Sequence, residues 1–337
     1  MEAREKYILT PLPALPQSWS DLSWQQLCDV WDAKMRYGGN ASVARAAALL
    51  ALCRCSLCHD QEPCVSDSTG ETVYTIQDED GRMYNVTPRE LSQMAWQAIR
   101  WVDYPYGDNG EPEERDESGR VVKEARKPHH GYVSPMRDAM ILPETEVTVG
   151  GVAFALPTVA CANITWQQYR TLQNIVPQLF QEGIAESQVL ELQAQFLSHC
   201  LVPAQDAHES MGGDRFRPTH SFRYDSDRAE QSIPFWRVQQ AACPTLFHIC
   251  FQTYQTAVGY YAQVFPLLFG GGGKDDPLRD ALTNETETLN SVMKYQGYGS
   301  PEEVYAADLP NILTVLNTMT KEARQVEEMN RKIRTKK

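Results

Sequence analysis

The sequence predicts a mainly α-helical α+β protein: two helical lobes carrying small β-hairpins. Three observations predict it. One helix-start phrase is written three times, as Leu22-Ser23-Trp24-Gln25-Gln26-Leu27, Val86-Thr87-Pro88-Arg89-Glu90-Leu91 and Ile164-Thr165-Trp166-Gln167-Gln168-Tyr169. Two short segments pair around glycine turns, as hairpins do. The second half spaces its apolar residues by three and four, as buried helix faces do. In each helix-start phrase the Ser or Thr hydroxyl can accept from the amide three residues on. The Gln or Glu there reaches back to the cap amide. The apolar residue before each cap faces another at N4: Leu22 with Leu27, Val86 with Leu91, Ile164 with Tyr169.

Residues 7–18 are proline-rich and read as extended. The first helix starts at Ser23 and carries Leu27, Val30, Trp31 and Met35 on one face until Gly38-Gly39 stops it. Asn40 or Ser42 caps a second, Ala/Leu-rich helix from Val43 to about Leu57. Thr72–Ile76 and Arg82–Val86 flank Asp80-Gly81 and predict a hairpin, which leads into the helix capped by Thr87. Residues 103–135 are rich in Gly, Pro and charge and read as a long mobile loop. Residues 146–155 predict a second hairpin around Gly150-Gly151, followed by the helix capped by Thr165. The order hairpin, cap, helix thus occurs twice, either as a diverged duplication or as a shared way of joining strand to helix. Helices are predicted near 184–200, 227–240, 244–269, 283–297 and 301–334. Ser300-Pro301-Glu302-Glu303 is a fourth capping box, and Pro310 marks a kink in the last helix. That helix carries Val304, Leu309, Ile312, Leu316, Met319, Ala323, Val326, Met329 and Ile333 as one stripe. Such a stripe needs a partner face, internal or on another subunit. The domain expectation is an N-terminal lobe over 1–102, a charged linker over 103–143 and a C-terminal hairpin-plus-helix domain over 144–337.

The net charge of −13 argues against general nucleic-acid binding, which needs a basic surface. No apolar stretch is long enough for a signal peptide or a membrane span, so a cytoplasmic protein is expected. Nine cysteines in a reducing compartment are expected as free thiols.

Cys53, Cys55, Cys58, His59 and Cys64 form the densest cluster of metal-ligating residues. Cys55, Cys58, His59 and Cys64 are the candidate ligands of a structural zinc. A second ligand pair at longer spacing is absent, and the other reading is thiols serving as small apolar side chains. Cys55-Ser56-Leu57-Cys58-His59 also fits the c-type haem pattern, but that attachment is made outside the reducing cytoplasm. His199-Cys200, with His208 and His220, suggests a Cys-His pair without the local signature of a cysteine hydrolase. The Gly270–Gly273 run lacks the G-K-[ST] ending of a phosphate loop. Aromatic residues from Phe247 to Phe269 read as core or subunit interface. No catalytic residue is assigned.

Two stretches are more specific than capping rules require. One is Leu15-Pro16-Gln17-Ser18-Trp19 with Leu22–Leu27 and Lys34-Met35-Arg36-Tyr37-Gly38-Gly39. The other is Ser291–Tyr298 followed by Pro301-Glu302-Glu303-Val304-Tyr305. Together they resemble phage and prophage tail-morphogenesis proteins of the tail assembly chaperone type. The resemblance implies a non-enzymatic factor that binds a helical tail component such as a tape-measure protein. The alternatives are a structural particle component, such as a connector or baseplate subunit, and a zinc-containing regulator or enzyme using the cysteine cluster. A homo-oligomer is compatible with each.

Overall fold

The structure is a computed structural model that describes residues 15–58, 63–65, 70–103, 114–115, 121–123, 142–204, 224–269 and 277–334. It is mainly helical, with small antiparallel sheets. The chain divides into two compact units, Met1–Ala139 and Met140–Lys337.

In the first unit, α1 (Trp24–Tyr37), α2 (Ala41–Leu52) and α3 (Pro88–Ile99) pack in sequence. Ser23 caps α1 with both halves of the box formed, and Thr87 does the same for α3. Asn40, rather than Ser42, caps α2 by accepting from the Val43 amide at 3.2 Å. Ser42 instead bonds Ser92 across α2 and α3 at 2.7 Å. Val30, Ala48, Leu49, Ala95 and Ile99 bury the facing stripes. The chain before α1 is held by indoles. Trp19 lies edge-on to Trp101 at 5.3 Å, and Trp101 Nε1 donates to the Pro16 carbonyl. Lys34 runs beneath them: its Nζ is 5.3 and 5.4 Å from the Trp19 and Trp31 rings and donates to the Val102 carbonyl at 2.6 Å. Ring faces and a carbonyl offset part of the cost of taking a cation out of water.

Helix α2 ends at Leu52, five residues before its expected end. Arg54 takes a left-handed φ of 54°, while the Cys55 and Arg54 amides donate to the Leu50 and Ala51 carbonyls. That is a Schellman turn with arginine where glycine is usual. Two short strands absent from the sequence expectation follow, β1 (Ser56–Leu57) and β2 (Cys64–Val65); both pair antiparallel with β3 (Thr72–Gln77), as does β4 (Met83–Val86). The expected hairpin is β3–β4, and Asp78 closes its turn by accepting from the Arg82 amide and the Tyr84 hydroxyl, both at 2.8 Å. The expected mobile loop falls mostly outside the described residues. Within it β5 (Glu114–Arg115) and β6 (Val121–Lys123) pair antiparallel.

The second unit begins with the other expected hairpin, β7 (Glu146–Val149) and β8 (Val152–Ala155), extended by β9 (Val202–Pro203). Gly150 and Gly151 both have positive φ, as a two-residue turn requires. A Cβ on Gly150 would also meet Phe235 at 2.9 Å. Thr165 then caps α4 (Trp166–Ile175). Helices α5 (Glu186–Cys200), α6 (Ser226–Ala242) and α7 (Pro244–Val264) follow, with Phe196 edge-on to Phe247, Phe251 and Tyr254. Phe247, Tyr254 and Tyr261 are buried, so the aromatic stretch is core in this unit. Short helices α8 (Pro266–Phe269) and α9 (Pro277–Thr283) lead to α10 (Glu285–Gln296), α11 (Pro301–Ala306) and α12 (Leu309–Arg334).

The last segment is two helices where one was expected. The break falls at Ala307–Asp308, before Pro310, which sits harmlessly in the first turn of α12. The cause is long-range pairing. The Trp166 amide donates to the Ala307 carbonyl and the Leu309 amide to the Ile164 carbonyl, both at 2.9 Å. The fourth capping box is half formed. Ser300 Oγ accepts from the Glu303 amide, but the Glu303 carboxylate takes the Gly299 amide instead of the cap's own. Among the described residues no helix is long and apolar enough to cross a membrane.

Candidate functional site

The cysteine cluster is strung along a turn and a strand edge. Cys53 and Cys55 flank the left-handed Arg54, with Cys55 Sγ 3.6 Å from the Cys53 carbonyl. Burial, then Cys55, pushes the Cys53 thiol up to about 11. Burial, then the Asp78 carboxylate, raises Cys55. The Cys58 amide donates to the Thr75 carbonyl, and Cys64 is paired with Val73. Those two cysteines therefore stand opposite β3 residues of one sheet face. Leu57, paired with Ile76, belongs to the other face. His59 lies outside the described residues. Among those described, no group of three or more His, Cys, Asp or Glu side chains is arranged to hold a metal ion.

His199, in the last turn of α5, is a buried residue with both ring nitrogens engaged. Nδ1 is 2.6 Å from the Tyr224 hydroxyl, and Nε2 is 3.2 Å from Glu230 Oε1 on α6. Burial lowers its pKa, and Glu230 opposes the shift. The neutral ring that satisfies both contacts carries its proton on Nε2 and accepts from tyrosine on Nδ1. Burial raises the Tyr224 phenol, so that proton stays in place. The His199 carbonyl in turn accepts from Gln168 Nε2 at 2.9 Å. The adjoining cavity of about 50 Å³, lined by Phe154, Val202, Tyr224 and Arg228 among others, is of a size for a few waters. His199 thus ties α5 to α6 and to the third capping box, and its nitrogens are not turned to Cys200. His208 and His220 lie outside the described residues.

The far half of α12 is exposed along its length. Leu309, Ile312 and Leu316 are buried, whereas every residue from Lys321 to Ile333 is exposed. Val326, Met329 and Ile333 are 51%, 56% and 60% exposed. Beside this half runs a groove of about 840 Å³ between α12 and the α9–α10 pair, lined by Ala281, Thr288, Ser291, Met319, Ala323 and Glu327 among others. Its apolar floor and charged rim suit a helix better than a small polar ligand. Tyr295 of α10 donates to Glu322 at 3.1 Å and holds the two helices together. At the body end, Arg170 of α4 pairs with Glu285 at the start of α10 and lies 5.7 Å from the Tyr305 ring of α11. Comparison of the chain with protein-family models, curated proteins and solved structures yields no match.

The stripe on α12 was readable from spacing alone. Which half would be covered was not, because that depends on where α10 ends. The indole cage around Lys34 and the His199 bridge left weaker traces: Trp31 and Lys34 at i, i+3, and a histidine in a helix's last turn.

Proposed function

We propose that this chain is a non-enzymatic protein-binding factor of phage-like tail assembly, a chaperone or scaffold that holds a helical tail component in the host cytoplasm. One observation carries the reading: an apolar stripe that begins in the core of its unit and continues, uncovered, over Val326, Met329 and Ile333. Exposed apolar residues in a row on a helix mark a contact surface. The groove against α10 gives a second helix somewhere to lie. The wording of both chain ends, similar to tail-morphogenesis proteins, supplies the setting. The test is co-purification of the full chain with candidate tail components, the tape-measure protein first. Retention by the wild type and loss in V326E/I333E is the expected result. Failure to retain any tail component would remove this reading.

A further inference from the structure

Helix α12 carries a heptad. Its a and d positions are Leu309, Ile312, Leu316, Met319, Ala323, Val326, Asn330 and Ile333, spaced alternately by three and four. The first three are buried and Met319 is half-buried, while the rest are exposed. One unbroken seam therefore faces inward and then outward, and the groove against α10 runs beside the changeover. We propose that in the free protein the outward half is covered by α12 of a second copy, antiparallel, about a two-fold axis near Glu327-Glu328. The proposal rests on the reading of this half-helix as a protein-binding surface and names what occupies it before a tail component does.

Self-complementarity argues for a second copy, since a two-fold contact uses one patch twice. Antiparallel alignment sets Ala323 against Ile333 of the second copy, small against large, as interdigitating layers require. It sets Val326 against Asn330 on both sides of the axis, so the two inner layers of the seam each carry one polar side chain to fix register. Met329, at a g position, meets its own counterpart across the axis. On the other rim the two Glu327 carboxylates approach each other. Arg324 and Arg331 stand one turn either side of Glu327 along the groove. Each carboxylate is thus bracketed by guanidinium groups. Parallel alignment fails on charge, because Glu322 at g would lie against Glu327 at e of the other copy, twice over. It would also stack Ala323 on Ala323 and leave a gap. The shared stretch, Ala323 to Ile333, spans about 16 Å. Four seam layers make a weak contact, so the dimer is concentration-dependent.

The experiment is sedimentation velocity on the full chain across a wide concentration range, without any other protein. The expected result is a monomer–dimer equilibrium that V326E/I333E weakens about tenfold or more, with the melting temperature unchanged at concentrations where the wild type is monomeric, since both side chains are exposed in the single chain. Orientation is read with oxidised glutathione. M329C gives a disulfide-linked dimer above the wild-type background, and A323C does not. A monomer at every concentration, or a dimer indifferent to V326E/I333E, would overturn the proposal. So would cross-linking through A323C in place of M329C. A monomer that still captured a tail component would sink this inference alone. A seam dimer that captured none would sink only the proposed function.

Discussion

Two residues carry local features that measurements can read. Arg54 occupies a left-handed position, which costs a side-chain-bearing residue on the order of 1 kcal/mol. Its exposed pair with Glu79 at 3.1 Å returns little. Arg54→Gly is therefore expected to hold or raise stability by up to ~1 kcal/mol, and Arg54→Val to lower it, in urea unfolding. Lys34 is the second. Burial lowers its pKa from 10.5 to about 8. Below pH 8 folded and unfolded chains both hold the proton, and the cost of burying the charge is fully present. Between pH 8 and 10.5 only the unfolded chain holds it, so stability rises with pH by up to ~3 kcal/mol. In Lys34→Met that rise is absent, and unfolding midpoints of the two proteins across this window read the difference. Neither feature was legible in advance. Arg54 looked like helix interior, and nothing local predicts which carbonyl a lysine will meet.

Among elements, the same capping phrase has different weight in different surroundings. In the first copy Gln26 is at the surface, and its loss leaves water to take over. In the third, Gln168 is buried, accepts from the Thr165 amide at 2.9 Å and donates to the His199 carbonyl. Gln26→Ala is expected to cost about 1 kcal/mol. Gln168→Ala should cost roughly 3 kcal/mol, because it strands buried polar groups. Thermal melts of the two variants order them; equal effects would contradict the bridging role. The cysteine segment shows the converse, a local pattern re-aimed by its element. Spacing suggests one metal site, and pairing seats Cys58 beside Thr75 and Cys64 beside Val73 on β3. A zinc held there would show as about one metal per chain after gel filtration and as a melting temperature that a chelator lowers.

At the scale of the whole molecule, the two units have separate cores, Val30, Leu49 and Ile99 in one and Trp166, Phe196 and Ile312 in the other. Calorimetry is expected to resolve two transitions, with Lys34→Met moving one and Gln168→Ala the other. A single transition shifted alike by both would refute this. The sequence by itself determined the mainly helical class, the two hairpins and the helix starts at Ser23, Thr87 and Thr165. Caps and tight turns are made by residues within four positions of one another, so their physics is written locally. Tertiary structure alone decided that α2 stops at Leu52, that Val202-Pro203 joins a sheet, and that the last helix breaks at Ala307. The last two are backbone pairings with distant segments, of which sequence spacing carries no trace, and the first is a left-handed turn at an arginine, where glycine would have announced it. It also decided that the α12 stripe is covered as far as Leu316 and left open over Val326, Met329 and Ile333. Burial depends on what packs opposite, which the stripe itself cannot specify.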